Sequence, residues 1–507
     1  MKKISKFFRY ELIFFGLILL FILISLLSLK KIGPEYDELI PVNAAINCPN
    51  SSFLIRSIYI KSQCIPIMLS SYLGGSLSIP YKLSFIFFSP NVLVFRLTSL
   101  SIIILSLFLL FITLKKTFNS LIASLTLFFL VFDSQFFLTQ LFEGATNLPF
   151  LIRVFFLNIL FTLKETLSKY LLLGLIIGFG IYTKLDASFF FFSILISLIC
   201  ININIKKFRK DLKTNFLKFL FLFAGLIIGL SPFLFFILRN KDIFSLVRSV
   251  GEGSESIIGQ KISDWFLQLL PQNWFYYIFM EKIYIPSAIK LLAILLTLIW
   301  LFASFKLISN KKYRFLSLSF IIFLGLYFSY RGLISPHHRV LIYPIPQIIL
   351  AIFLVSLKSK RVMFFVIASY LVIYIFSFWN FVIISSKNCG VRSASCHIYN
   401  LYDYLKNGNK NILIGDWGIS NQLLLLSKGK LNLNEVSYTL NDVSIQNARK
   451  YLEPLLSSCP TLILYRNEKS IFTLSNKNIR EILKDYPQYQ PESVDEYQIF
   501  RCNKKAS

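Results

Sequence analysis

Apolar runs of about 20 residues recur between residues 11 and 384 of this chain, and about 20 apolar residues carry a helix across a bilayer core. No other feature narrows the outcome as far. A soluble domain is about 25% charged, whereas only 15% of this chain is charged and 55% is hydrophobic. The pattern predicts a polytopic α-helical membrane protein with about 11 transmembrane helices. Their expected positions are 11–29, 91–114, 118–132, 145–163, 169–182, the stretch after Asp186 to about 201, 215–238, 287–308, 315–330, 339–357 and 362–384.

The chain carries 53 Lys and Arg against 25 Asp and Glu, a formal net charge of +28. On a soluble protein that excess would suggest nucleic acid. Here the basic residues gather between spans, at 2–9, 115–116, 164–169, 206–213, 311–314 and 358–361, as cytoplasmic loops require. No nucleic-acid partner is expected. The amino terminus is expected in the cytoplasm and the carboxyl terminus outside. Arg239, Lys241 and Arg248 depart from the rule, but they begin a long outer loop, which escapes it. The first apolar run lacks the small-residue cleavage site of a signal peptide and reads as a retained span. The setting is read as a bacterial inner membrane.

Two outer loops are long, at about 30–90 and 239–286. Six prolines break the first, and its apolar piece at 65–73 reads as a helix lying on the membrane surface. The second holds Gly251-Glu252-Gly253, too short for a phosphate loop, and the aromatic run Trp274-Phe275-Tyr276-Tyr277. The domain division is 1–384 for the membrane part and 385–507 for a soluble tail. Apolar strands at 411–415, 461–465 and 497–502, with helices at 417–427 and 443–456, make the tail a small α/β domain. Cys48, Cys64, Cys389, Cys396, Cys459 and Cys502 fall outside, an even number suited to disulfides in an oxidising compartment. The pairing expected is 48–64, 389–396 and 459–502, although four tail cysteines allow three pairings. Zinc is the alternative, and no Cys-x-x-Cys pair favours it.

Chemistry concentrates at Gly33-Pro34-Glu35-Tyr36-Asp37-Glu38, just past the first span. A helix start would account for Asp37, since acids favour a first turn. Yet ionisable groups at a membrane edge are costly and mark pathways or sites, and a carboxylate there can take a proton from an attacking hydroxyl.

Pro34-x-x-Asp37-Glu38 after a first span resembles the Asp-Glu motif of the GT-C membrane glycosyltransferases, in particular the protein O-mannosyltransferases and the lipid A aminoarabinose transferase. Tyr72-Leu73-Gly74-Gly75, Phe95-Arg96-Leu97-Thr98-Ser99, Gly180-Ile181-Tyr182-Thr183-Lys184 and His338-Arg339 to Pro344 follow in the order of that family's motifs, with Thr98 and Val340 replacing its Pro and Tyr. The resemblance covers about 1–385. It implies an inverting transferase that moves a sugar from a polyprenyl-phosphate-linked donor to a hydroxyl of a glycan, lipid or protein, with Asp37 as general base beside Glu38. The leaving phosphate then needs counter-charge. The outer-face candidates are Arg96, Lys184, His337, His338 and Arg339, the last three in one turn near Arg331. Snorkelling at a span end would equally place Arg96, and Lys184 has Asp186 within reach. Asp133 and Glu143 are candidates for an acceptor or auxiliary role, and Arg153 for pairing within a span. No cofactor is required by any motif. Asp37-Glu38 alone does not choose between chemistry with and without a divalent metal.

Two other classes compete. A lipid or oligosaccharide flippase or transporter would show broken, polar spans, for which Gly225, Gly229 and Pro232 in the seventh span are the evidence. An oligosaccharide polymerase or ligase would share the long outer loop but gives no reason for Asp37-Glu38.

Overall fold

The computed structural model describes residues 2–50, 54–202, 212–239, 258–330, 336–357, 359–408, 411–441 and 443–503. Gly251-Glu252-Gly253, Lys241, Arg248, Arg331 and the side chain of His337 lie outside that description. The chain is an integral membrane protein built mainly of helices: α1 (Lys2–Ser28), α2 (Leu39–Ile46), α3 (Ile79–Phe87), α4 (Val92–Thr117), α5 (Ser120–Val131), α6 (Ser134–Phe142), α7 (Asn147–Thr162), α8 (Leu167–Thr183), α9 (Ala187–Asn202), α10 (Leu212–Arg239), α11 (Ile258–Phe266), α12 (Gln272–Phe279), α13 (Ser287–Ile308), α14 (Arg314–Ser329), α15 (Ile345–Ser356) and α16 (Lys360–Lys387). Among the described residues α1, α4, α10, α13 and α16 are long and apolar enough to cross a bilayer. Helices α5 and α6 add a sixth if counted as one span bent by 69°. Helices α7, α8, α9, α14 and α15 are equally apolar but shorter. At 1.5 Å per residue a 17-residue helix such as α8 reaches about 25 Å, the low end of a crossing.

The 69° bend falls at Asp133, whose carboxylate accepts the N–H of Phe136 at 3.0 Å and so starts α6 afresh. Helix α10 runs unbroken through Pro232. Its Gly225 and Gly229 face Gly174 and Gly178 of α8: a Cβ added at Gly174 would sit 1.9 Å from the Leu222 carbonyl oxygen. These glycines bring two backbones together and do not break the span, which removes the observation that favoured a transporter.

The first outer loop departs from expectation. Residues 65–73 form no surface helix. Strands β1 (Arg56–Ile60) and β2 (Gln63–Met68) pair antiparallel across Lys61 and Ser62, both at positive φ, as two-residue hairpin turns demand. A disulfide joins Cys48 to Cys64 on β2, and Pro66 suits an edge strand but no helix interior. The helix with an exposed apolar face is α3 instead, through Ile79, Leu83, Ile86 and Phe87, while its Tyr81 is buried.

After α16 the chain builds a mixed sheet. Its strands are β3 (Asn411–Ile414), β4 (Asn432–Glu435), β5 (Thr461–Tyr465), β6 (Tyr489–Val494) and β7 (Tyr497–Cys502), in the order β4-β3-β5-β7-β6. Strand β3 is parallel to β4 and β5, and β7 is antiparallel to β5 and β6. Strand alternation sends Leu413, Leu462 and Leu464 to one face, against α19 (Ile445–Ser457) and α20 (Thr473–Leu483). Ile412, Ile414 and Ile463 go to the other, against α17 (Ile398–Leu405) and α18 (Ser420–Leu426). Disulfides join Cys389 to Cys396 before the sheet and Cys459 to Cys502 across it.

Candidate active site

The stretch between α1 and α2 is fixed from three sides. The Gly33 N–H donates to the Cys389 carbonyl at 3.0 Å, and a Cβ at Gly33 would lie 2.3 Å from the Ser395 carbonyl oxygen, so only glycine fits. Glu35 and Glu38 then bind each other's backbone: the Glu35 N–H donates to the Glu38 carboxylate at 3.2 Å and the Glu38 N–H to the Glu35 carboxylate at 2.9 Å. Two donors at the head of α2 are satisfied reciprocally, in the manner of a capping box.

Glu38 is sealed. Arg96 grips it from α4 with Nε at 3.1 Å and Nη2 at 3.0 Å, and both side chains are fully buried. The remaining Arg96 donors go to the carbonyls of Leu29, Ile32 and Gly33. All five guanidinium N–H groups are thereby engaged, and the ring of Phe142 lies 5.1 Å away. Arg96 is thus held at the corner, with no N–H left to offer a phosphate.

Asp37 turns the other way, into a cleft of about 140 Å³ lined with Glu35, Tyr72, Glu143, Lys184 and Tyr277. Its carboxylate is open to the cleft though protein surrounds it. Desolvation first, then the charge of Glu143, raises its pKa to about 6, against the opposing pull of Lys184 and a Tyr277 hydrogen bond. Desolvation lifts Glu143 to about 8, with Lys184 opposing. Glu35 is raised well above the carboxylate range by burial and by Asp37. The Tyr277 phenol donates to Glu35 at 2.8 Å, so it sits between both acids.

The cation of the cleft arrives by a loop-to-turn junction. Leu73 bridges Lys184, the Gly74 N–H donates to the Thr183 carbonyl at 3.0 Å, and the Leu185 N–H donates to the Tyr72 carbonyl at 3.0 Å. A Cβ at Gly74 would meet the Tyr182 carbonyl oxygen at 2.3 Å. This is why two distant glycine-bearing stretches meet. The Lys184 ammonium lies 3.2 Å from Asp186, and His338 Nε2 lies 3.5 Å from the same oxygen.

Arg339 is buried and donates to the Asp264 carbonyl at 2.9 Å. It does not line the cleft. Neither does Asp133, which caps α6 and accepts the Tyr343 hydroxyl at 2.6 Å. Arg153 meets the Tyr343 and Val340 carbonyls at 3.3 and 3.4 Å. The structure therefore gathers Asp37, Glu143 and Lys184, places His338 one residue behind them, and leaves Arg96, Arg339 and Asp133 elsewhere. Glu35, Tyr72 and Tyr277 complete the cleft without having been singled out. Glu35 was signalled by its place two residues before Asp37, and Tyr277 by the aromatic run. Among the described residues no three His, Cys, Asp or Glu side chains converge as metal ligands.

A sequence profile for dolichyl-phosphate-mannose-protein mannosyltransferases matches residues 81–236. No curated protein sequence matches the chain. Solved structures are similar in fold, among them an ArnT and an oligosaccharyltransferase. The ArnT of Cupriavidus metallidurans, crystallised with undecaprenyl phosphate, superposes with a TM-score of 0.61 at 9% identity, over 96% of this chain and 98% of that one. The oligosaccharyltransferase of Archaeoglobus fulgidus, tethered to an acceptor peptide, gives a TM-score of 0.50 at 12% identity, over 97% of this chain and 74% of that one.

Proposed function

We propose that this chain, which has the fold of the GT-C membrane glycosyltransferases, is itself an inverting glycosyltransferase using a polyprenyl-phosphate-linked sugar, with Asp37 as its general base. One observation carries the reading: next to a sealed Glu38, Asp37 opens into a cleft that also holds Lys184 and Glu143.

The acceptor hydroxyl gives its proton to Asp37 and its oxygen attacks the anomeric carbon. The bond from that carbon to the phosphate oxygen breaks, and its electron pair leaves with the lipid phosphate. A positioned base of this kind contributes about 10²- to 10⁴-fold. Burial favours the neutral forms of Glu35 and Glu143 at neutral pH. Asp37 and Lys184 are then the main opposed charges, and Lys184 is the counter-charge for the phosphate. His338 steadies Lys184 through Asp186. Arg96 and Arg339 pass from phosphate binding to positioning, and Glu38 from chemistry to anchoring the turn that aims Asp37. In this reading the apolar helices make eleven crossings. The amino terminus is cytoplasmic, and the cleft and the sheet stand at the extracytoplasmic face, as the basic clusters favour.

The test is sugar transfer by purified protein in lipid nanodiscs, from a panel of polyprenyl-phosphate sugars to a panel of glycan, lipid and peptide acceptors. Asp37→Asn runs beside the wild type. Transfer by the wild type, lost in the variant, is the expected outcome. Equal transfer by both would sink the assignment.

A further inference from the structure

We infer that Glu435, on the edge strand of the carboxyl-terminal sheet, is a positioning residue for Asp37, acting through Tyr36. The inference rests on the transferase reading for its kinetic consequence but not for its geometry.

Tyr36 immediately precedes Asp37 and is fully buried. Its hydroxyl donates to Glu435 at 2.7 Å across 399 residues of sequence. The same carboxylate accepts the Ser420 hydroxyl, and its other oxygen accepts Ser437 at 2.8 Å. Three hydroxyls converge on one half-buried carboxylate, a network that low dielectric strengthens. The Tyr36 ring lies 4.6 Å from that of Trp417. Its backbone is held by the same part of the chain: the Tyr36 N–H donates to the Ser393 carbonyl at 2.9 Å, and its carbonyl accepts Asn421 Nδ2 at 3.3 Å. Gln422 donates to the Pro34 carbonyl at 2.6 Å. Every one of these partners lies after α16. The main chain on either side of Asp37 is thus set jointly by Arg96 from the membrane helices and by Glu435 and its neighbours from the sheet. A shift of about 1 Å in a reacting group costs about 10²-fold, so a clamp of this kind reaches the base without touching substrate.

The experiment uses the full-length protein in nanodiscs and two readouts. In the first, hydrogen exchange of the 35–39 amides is compared among wild type, Glu435→Ala, Glu435→Gln and Tyr36→Phe. Exchange there is expected to rise about 10-fold in Glu435→Ala while the α4 and α8 amides keep wild-type rates. In the second, Glu435→Ala and Tyr36→Phe each lower kcat about 10-fold, as a misplaced base should, and leave donor and acceptor KM within about twofold of wild type. Glu435→Gln, which keeps one acceptor oxygen, retains more activity than Glu435→Ala. The double variant is no slower than the slower single variant, because both cut one link. Arg449→Ala, which breaks tail ion pairs with Glu453 and Asp485 far from the corner in sequence, stays at wild type. Unchanged exchange at 35–39 would overturn the proposal whatever the transfer rates, and so would additive losses in the double variant. Asp37→Asn, run alongside, separates the two ideas: transfer retained there defeats the base assignment, and the exchange readout still decides the clamp.

Discussion

Asp37 and Glu38 are neighbours in sequence and opposites in surroundings. Glu38 meets a guanidinium bidentately, has no solvent, and spends its lone pairs on Arg96 and a backbone N–H. Asp37 meets its cation across an open cleft and shares that cleft with Glu143. Charge alone would make both pairs candidates for chemistry. Access separates them: a saturated carboxylate can hold a turn in place, and only one with a free side can take a proton.

The contrast breaks most sharply if the two acids are exchanged in a test. Asp37→Asn is isosteric and alters no contact of the buried pair. Transfer should fall about 10²- to 10⁴-fold while the melting temperature of the purified protein stays at the wild-type value. A fall in melting temperature comparable to that of an Arg96 variant would make Asp37 structural and erase the distinction.

Arg96→Ala should do the reverse first. It strands a buried Glu38 and three carbonyls, and breaking one side of a buried pair costs about 3–5 kcal/mol. Lower yield and a lower melting temperature are expected, with residual transfer following the fraction folded. If instead the protein melts as wild type and loses only affinity for the lipid-linked donor, Arg96 binds phosphate and the reassignment fails.

Much of this was legible beforehand, and the illegible part has a common cause. Apolar runs of about 20 residues mark the long helices, because in a bilayer core a spanning segment must satisfy its backbone hydrogen bonds internally. The stretch 33–38 stood out because ionisable groups at a membrane edge are rare. The sequence does not say where an arginine's five donors end, and for Arg96 they end on residues 58 to 67 positions away. Nor does it show that Tyr277 reaches Glu35 across 242 positions, or that Glu435 reaches Tyr36. In the loop, the apolar run at 65–73 reads as a helix because its strand partner is set by contacts the run does not contain: Cys64 is tied to Cys48, and the turn at Lys61 and Ser62 pairs two strands.

The pH profile sharpens the same comparison. Asp37 must be ionised to accept a proton, and its pKa is raised to about 6. As pH falls through 6 the protonated fraction grows, so kcat/KM should drop, approaching tenfold per unit at lower pH. Glu143, raised to about 8, loses its proton above that pH. The cleft then gains a second negative charge beside the leaving phosphate, and activity should decline on the alkaline side too. Glu143→Gln stays neutral throughout and should flatten the alkaline limb, while the acid limb persists and moves to lower pH, because the charge of Glu143 no longer helps to raise Asp37. An alkaline limb that survives Glu143→Gln would remove Glu143 from the account.

Asp133 carries the smallest expected effect and the cleanest contrast with Asp37. It too is an acid near the end of a span with a tyrosine hydroxyl close by. Its two oxygens are spent, however, on the Phe136 N–H and the Tyr343 hydroxyl, and it lines no part of the cleft. Asp133→Asn keeps an oxygen for the cap and forfeits one charge-assisted bond from Tyr343. Exchanging a hydrogen bond to a charged group for one to a neutral group costs about 1 kcal/mol, so a small fall in melting temperature should accompany transfer within about twofold of wild type, since nothing that touches substrate has moved. The two aspartates would then sort by access to the cleft, as Asp37 and Glu38 do. A loss of transfer at Asp133 without a loss of stability would mean that the 69° bend between α5 and α6 serves the reaction and not merely the fold.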